Sequence, residues 1–236
     1  MHTALLPEQL CVTVDILALR VDGGRLHLLL FQRSAPPYQG CWALPGRFME
    51  AGESAEAAAQ ALLNEMLPRQ NAFTEQLYTF TDLNRDPRGR VISIAYLAIL
   101  PPGSGQEAPL PDEPPWAWCA VEWKGEGLLL SCGDGKRLTP GDLAFDHGKI
   151  IETGVRRLQG KIDYTDIGFH FLTDPAHFSL SELQDVFQAV LNRPLDTSNF
   201  RRAILNRYEE SGRITPTNQA EKRGRGRPAA LYRFNP

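Results

Sequence analysis

Residues 44–66, LPGRFMEAGESAEAAAQALLNEM, constrain the fold more than any other stretch of the chain. Pro45 and Gly46 demand a turn, Glu50, Gly52 and Glu53 make an acidic loop, and an alanine-rich run then follows Ser54 and stops at Pro68. A helix over 54–66 is expected, because alanine has the highest helix propensity and a serine at the N-cap satisfies an amide that the first turn leaves open. The flanks read as strands. Residues 11–20 (CVTVDILALR) and 25–32 (RLHLLLFQ) are β-rich and are separated by Asp22, Gly23 and Gly24, the composition of a tight hairpin turn. Short strands are expected on either side of Pro45 and Gly46, at 41–44 and 48–49. A further hairpin pairs 77–81 with 91–100 across the polar loop 82–90, and strands resume at 116–123 and 128–130. Residues 101–115 hold six prolines and little that can pack, so they read as a surface loop and not as a domain boundary. A helical stretch introduced by Gly141 and Asp142 and running to about Gln159 closes this first unit.

Beyond residue 178 the pattern changes. Residues 179–192 and 197–210 read as two helices with a break at 193–196, which is a helix-turn-helix. Residues 214–216 and 230–234 then read as two short strands around a basic loop, the layout of a wing. At 236 residues and 42% hydrophobic content the chain can bury a real core, and its length favours a large and a small domain. Charge divides it the same way. The formal net charge is −3, yet residues 197–236 carry nine Arg or Lys against three Glu, a net of +6, which leaves −9 on residues 1–196. An acidic body therefore carries a basic end. There is no internal repeat.

The longest apolar runs, 28–31 and 91–100, fall short of a membrane span, and the N-terminus lacks a basic segment followed by an apolar one, so neither membrane insertion nor export is expected. Cys11, Cys41, Cys119 and Cys132 form no CxxC pair and no metal-spaced cluster with histidine, so all four read as small buried hydrophobes in a reducing cytoplasm.

The run 44–66 resembles the Nudix box, the loop and helix shared by hydrolases that cleave nucleoside diphosphates linked to another group. Leu44, Pro45 and Gly46 match its first turn, Glu50, Gly52 and Glu53 its acidic loop, and Ala58 and Ala59 its paired alanines. Arg33, Tyr38, Gly40, Trp42 and the run 77–100 look like the ADP-ribose-acting branch. The departures are in the helix. Where the family pattern has an arginine, a glutamate, an apolar residue, any residue and two glutamates, this chain has Ala61, Leu62, Leu63, Asn64, Glu65 and Met66. Positions 62, 65 and 66 share one helical face and would converge on a divalent metal, but leucine and methionine offer no oxygen ligand. Arg47 stands for the second glycine of the turn and Pro68 for the glycine after the helix. The expectation is a Nudix domain with no catalytic site and no metal. The candidates for holding a ligand are Arg33, Tyr38, Arg47, Glu50, Glu65, Arg85, Arg88 and Arg90, the arginines as two-point donors to phosphate or ribose oxygens.

The helix 197–208 presents Thr197, Ser198, Asn199, Arg201, Arg202 and Asn206, suited to phosphate and base-edge contacts, against an apolar side of Phe200, Ala203, Ile204 and Tyr208. The basic loop with Lys222, Arg223, Arg225 and Arg227 reads as a wing tip reaching for backbone or minor groove. Segments LAFDH (143–147), LSELQDVFQAVLNRPLD (180–196), NFRR (199–202) and RPAALYRF (227–234) resemble the NrtR family, Nudix-related transcriptional regulators of NAD metabolism, and with the Nudix part the resemblance covers almost the whole chain. It implies an α/β Nudix sandwich over 1–159 including a linker helix, and a winged helix-turn-helix over 160–236. It further implies a homodimer on a palindromic operator in double-stranded DNA, repression of NAD genes and a response to ADP-ribose, with no cofactor required. Asp146 and His147 match a family motif and read as helix capping and interdomain packing. Two alternatives stand beside this reading. One is the same architecture sensing a sugar or sugar phosphate and controlling pentose catabolism. The other is an ADP-ribose pyrophosphatase with residual activity from Glu65 with Glu50 or Glu53.

Overall fold

The computed structural model describes residues 10–68, 71–103, 115–124, 127–133, 135–221 and 228–236. A hairpin opens it: β1 (Cys11–Asp22) turns at Gly23 and Gly24 into β2 (Arg25–Gln32), pairing antiparallel. Two short strands follow, β3 (Trp42–Ala43) on β2 and β4 (Gly46–Phe48) on β1. α1 (Ala55–Met66) begins at Ser54, whose side chain accepts from the Ala57 amide. Then come β5 (Phe73–Phe80), β6 (Val91–Leu100), β7 (Trp116–Lys124), β8 (Gly127–Ser131) and β9 (Arg137–Leu138). Among the described residues nine strands make one sheet in the order β5-β6-β1-β2-β7-β8-β9, with β3 and β4 at its side. β6 lies parallel to β1, while the remaining pairs are antiparallel.

β1 is apolar almost throughout because helices cover both of its faces, as the alternation of its side chains shows. Val14, Ile16 and Ala18 face α1, packing with Ala58, Leu62, Leu63 and Met66. Leu17 and Leu19 face the other way, toward α2 (His147–Lys161). That helix lies so close to β1 that a Cβ on Gly154 would collide with Leu17 Cδ2, so a larger residue there would force the buried Leu17 side chain to shift.

The small domain contains β10 (Phe178–Ser179), α3 (Leu180–Leu191), α4 (Thr197–Ile204), β11 (Ile214–Glu221) and β12 (Ala229–Phe234). Ser179 and Glu182 cap α3 reciprocally, Asn192 ends it in the left-handed region, and Asp196 caps α4 through the Asn199 amide at 2.8 Å. β10, β12 and β11 form a three-stranded sheet that includes the wing hairpin. Its core is aromatic: Phe169 stacks on Phe234 at 4.2 Å and meets Tyr208 edge-on at 5.1 Å, and Phe187 meets Phe200 at 5.2 Å. One hydrophobic cluster runs from Leu17 on β1 through Val155 on α2 and Phe187 on α3 to Tyr232 on β12.

Several expectations need correction. The stretch from Gly141 is not continuous helix: residues 140–142 form a single 3-10 turn, Phe145 at φ 55 breaks the chain direction, and α2 starts only at His147 and runs past residue 159 to Lys161. The second helix of the helix-turn-helix is α-helical only to Ile204, after which residues 205–209 widen into a π-turn. β5 begins at Phe73 rather than 77, and β9 and β10 had no sequence counterpart. The cysteines are not four reduced hydrophobes. Cys119 and Cys132 are joined by a disulfide, because the β7–β8 pairing of Ala120 with Ser131 sets them side by side, and Cys11 is exposed. The inference about compartment that rested on unpaired cysteines loses that support. Most of the proline-rich segment 101–115 and the wing-tip residues Lys222, Arg223, Arg225 and Arg227 lie outside the described residues. No helix among those described is long and apolar enough to cross a membrane.

Candidate ligand pocket and nucleic-acid interface

A cavity of about 240 Å³ opens where β1, the end of β2, β4, the 81–90 loop and the approach to α2 converge. Thr13, Asp15, Phe31, Arg33, Leu44, Gly46, Arg47, Phe48, Arg85, Asp86, Arg88, Phe145 and His147 line it. Gly46 is required there, since a Cβ at that position would collide with the Asp15 carboxylate.

Its floor is a buried ionic network. Arg85 donates to Asp146 from Nε at 3.1 Å and from a terminal nitrogen at 2.8 Å, and that same nitrogen reaches Asp15 at 3.4 Å. Ser93 donates to the same Asp15 oxygen. His147 Nε2 stands 3.7 Å from the other Asp15 oxygen, while its Nδ1 accepts the Leu44 amide hydrogen at 2.8 Å. Burial pushes the His147 imidazole below its ordinary pKa, against the opposing pull of Asp15 and Asp146.

The walls are cationic and aromatic. Arg47 makes a two-point pair with Glu53 at 2.8 and 2.5 Å, which lowers the Glu53 pKa and raises that of Arg47. Arg88 pairs with Asp86 at 3.0 and 2.7 Å. Desolvation works to raise the Asp86 pKa, but the bonds from Arg88 outweigh it and the net shift is downward. Arg33 and Arg88 both lie over Phe145, at 4.8 and 5.5 Å from the ring centre. Arg33 donates to the carbonyls of Pro37 and Ala35 and has no salt bridge to a described carboxylate. Burial and then the charge of Arg88 lower its pKa.

Four of the eight candidates, Arg33, Arg47, Arg85 and Arg88, thus line one cavity. Tyr38 stands beside it, edge-on to Phe145 at 4.8 Å. Arg90 instead ties its own loop together by donating to the carbonyls of Thr81 and Asp82, both at 3.0 Å. Glu50 and Glu65 are exposed and do not line the cavity. Leu62 and Met66 face inward, 8% and 2% exposed, among the apolar side chains between α1 and the sheet. The residues present therefore do not fit a magnesium ion on the Nudix helix: the two inward positions carry no oxygen, and the glutamate that remains points to solvent. Sequence reasoning missed Asp15, Asp86, Phe48 and Phe145. An aspartate between Val14 and Ile16, in the middle of a mostly apolar strand, was the available signal for Asp15.

On the small domain α4 turns Phe200 and Ile204 inward and leaves Thr197, Ser198, Asn199, Arg201 and Arg202 exposed along one side. Asn199 Oδ1 accepts from Arg202 at 3.0 Å, and Thr197 Oγ1 accepts from Gln184 at 3.2 Å, which locks α4 to α3.

The Nudix domain family matches residues 9–126, and the NrtR DNA-binding winged helix domain matches residues 168–234. The ADP-ribose-responsive transcriptional repressor of Acinetobacter baylyi is 33% identical over 225 residues, covering 94% of this chain and 81% of that protein. The crystal structure of Shewanella oneidensis NrtR with a 27mer DNA superposes with a TM-score of 0.72 at 29% identity, covering 95% of this chain and 93% of that one. A MutT/Nudix family protein from Enterococcus faecalis gives a TM-score of 0.78 at 26% identity, over 98% and 90% of the two chains. Fold and site define a Nudix domain joined to a winged helix, the build of a ligand-linked DNA-binding regulator. The chain belongs to the NrtR family of transcriptional regulators.

Proposed function

We propose that this chain is a transcriptional repressor that binds a palindromic operator as a homodimer and responds to ADP-ribose held, without cleavage, in its Nudix cavity. The observation that carries the ligand reading is Arg33. It is a partly buried guanidinium with no salt bridge to a described carboxylate, set against Arg88 over the face of Phe145. Asp86 already compensates Arg88 through its two-point pair, so Arg33 is the guanidinium that a ligand carrying negative oxygens would neutralise, and a pyrophosphate can accept two-point hydrogen bonds from it. The A. baylyi relative, which bears ADP-ribose in its name, supports the choice of nucleotide.

The reading assigns sensing to residues 1–159 and DNA reading to 160–236. Thr197, Ser198, Asn199, Arg201 and Arg202 contact DNA, with Lys222, Arg223, Arg225 and Arg227 at the wing tip. Arg33, Arg47, Arg85 and Arg88 hold the ligand. Tyr38 flanks it, and Glu50, Glu65 and Arg90 lie outside its direct contacts. A single winged helix touches too few base pairs for genomic specificity, and a two-fold protein on a palindrome doubles them. Ligand binding favours a geometry in which the two reading helices no longer match half-sites about 10 base pairs or a multiple apart. The apolar Leu62 and Met66 support a sensor over a hydrolase. NAD-metabolism genes are the targets and the cytoplasm the site of action.

The test is calorimetric titration of the purified protein with ADP-ribose, with and without magnesium, followed by product analysis of the same sample. Micromolar binding without turnover sustains the reading. Turnover returns the chain to the hydrolases, and absence of binding transfers the effector role to a sugar or sugar phosphate.

A further inference from the structure

Asp146 occupies the N-cap position of α2 and does not cap it. Its backbone sits at φ −97 and ψ 22, its side chain makes no cap bond, and its carboxylate is turned to Arg85 instead. An aspartate at this position ordinarily accepts from the second or third amide of the helix, where the helix dipole also favours negative charge. Arg85 faces the cavity while almost wholly buried, with a side chain 3% exposed. Phe145, immediately before Asp146, lines the same cavity and holds φ 55, a region costly for a bulky L-residue. At its other end α2 reaches the DNA-reading domain, where Gln159 Nε2 donates to the Val190 carbonyl of α3 at 3.0 Å.

We infer that Arg85 and Asp146 form a ligand-exchangeable latch: a phosphate-bearing ligand in the cavity takes the Arg85 guanidinium, and the released Asp146 carboxylate turns to cap α2. This rests on the reading of the cavity as an anion sensor. The exchange replaces one set of hydrogen bonds by another at each of the two side chains, so neither charge is left unpaired in either arrangement. The Lys149 amide is already held by the Asp146 carbonyl at 2.9 Å, and the Gly148 amide, which has no hydrogen-bond partner among the described residues, is the donor the freed carboxylate would gain. Arg85 gives up a carboxylate for a phosphate, which accepts its two-point bond equally well. Asp146 gives up a guanidinium for a backbone amide at a helix start. The helix that changes its first turn is the one seated against α3, so occupancy of the cavity is felt where the reading domain docks.

Two variants of the full chain separate the parts. Asp146→Asn keeps an N-cap side chain of equal quality and loses the ion pair, while Asp146→Ala loses both. Three quantities are read: ADP-ribose affinity by calorimetry, operator affinity with and without ADP-ribose, and hydrogen exchange of the amides at the start of α2. Without ligand, Asp146→Asn is expected to show the amide protection and operator affinity of ligand-bound wild type, and ADP-ribose then changes neither further. Because the competitor for Arg85 is gone, it binds ADP-ribose about tenfold more tightly, as reciprocal linkage requires. Asp146→Ala shares the tighter binding without the gain in protection. The latch is overturned if Asp146→Asn binds ADP-ribose no more tightly than wild type and its ligand-free operator affinity and amide protection are unmoved. If wild type takes up no ADP-ribose, the effector reading falls, and the ligand-free comparison still decides the latch: a shift in both readouts sustains it and no shift removes it.

Discussion

His147 Nδ1 accepts the amide hydrogen of Leu44 at 2.8 Å across 103 positions of sequence, tying the start of the Nudix loop to the first residue of α2. The bond requires an unprotonated Nδ1. Burial holds the folded pKa below the ordinary imidazole value of about 6.5. In the window between that lowered value and about 6.5 the unfolded chain binds more protons than the folded one, so stability rises with pH there and is lost as pH falls. Melting temperatures measured from about pH 8 down to about pH 5.5 should therefore decline on acidification. His147→Asn keeps an acceptor and removes the titration, and should flatten part of that decline. His27 and His170, also lowered by burial, leave a background slope. An unchanged pH profile in the variant would show that His147 does not titrate as the geometry requires.

Restoring the family's acids at Leu62 and Met66 should damage the fold. Both side chains pack with Val14, Ile16 and Leu63 between α1 and the sheet, so a carboxylate there is buried without a donor. Leu62→Glu or Met66→Glu should each cost about 2–4 kcal/mol in denaturant unfolding. A variant that keeps wild-type stability would mean that the helix face opens to solvent.

Arg33→Ala should weaken ADP-ribose binding by about 1.5–3 kcal/mol, roughly tenfold to a hundredfold in Kd, the worth of hydrogen bonds to a charged group. Arg33→Lys restores only part, because an ammonium is a point charge and not a two-point fork. Circular dichroism guards against a trivial cause, since Arg33 also braces its own loop through the Pro37 carbonyl at 2.7 Å. Wild-type affinity in Arg33→Ala would remove this residue from the site.

For DNA, the diagnostic is salt. Arg201 and Arg202 are exposed on α4, and a phosphate contact releases about 0.9 of a counterion from duplex DNA. On a two-fold operator each substitution by alanine removes two such contacts, so the slope of log K against log salt should fall by about 1.8. Anisotropy titrations at several salt concentrations measure it. An unchanged slope would place that arginine away from the backbone.

Local chemistry made α1 and the helix-turn-helix legible. Ser54, the alanines and Pro68 delimit α1 with no long-range information, and Leu180, Leu183, Phe187 and Val190 mark the buried side of α3 by spacing alone. The pocket floor was not legible, because Arg85 meets Asp15 and Asp146 across 70 and 61 positions. Asp146 illustrates the difference. That it stands near a helix start followed from sequence, whereas its N-cap position and its side chain's commitment to Arg85 depend on a loop that only the folded sheet brings near. The Cys119–Cys132 bond escaped for a related reason, since strand register, and not cysteine spacing, brings the two together. The π-turn at 205–209 widens the helix without disturbing the four-residue recurrence of Phe200, Ile204 and Tyr208, so its pattern carried no trace of it.

The single hydrophobic cluster that runs from β1 through α2 and α3 to β12 bears on how such a molecule can be taken apart. A cut near residue 160 would split the buried side chains of one core between two fragments, each with a raw apolar face. A chimaera that grafts this reader onto a foreign sensor would have to carry α2 and the adjoining sheet surface with it. Sensor and reader in that sense share one core.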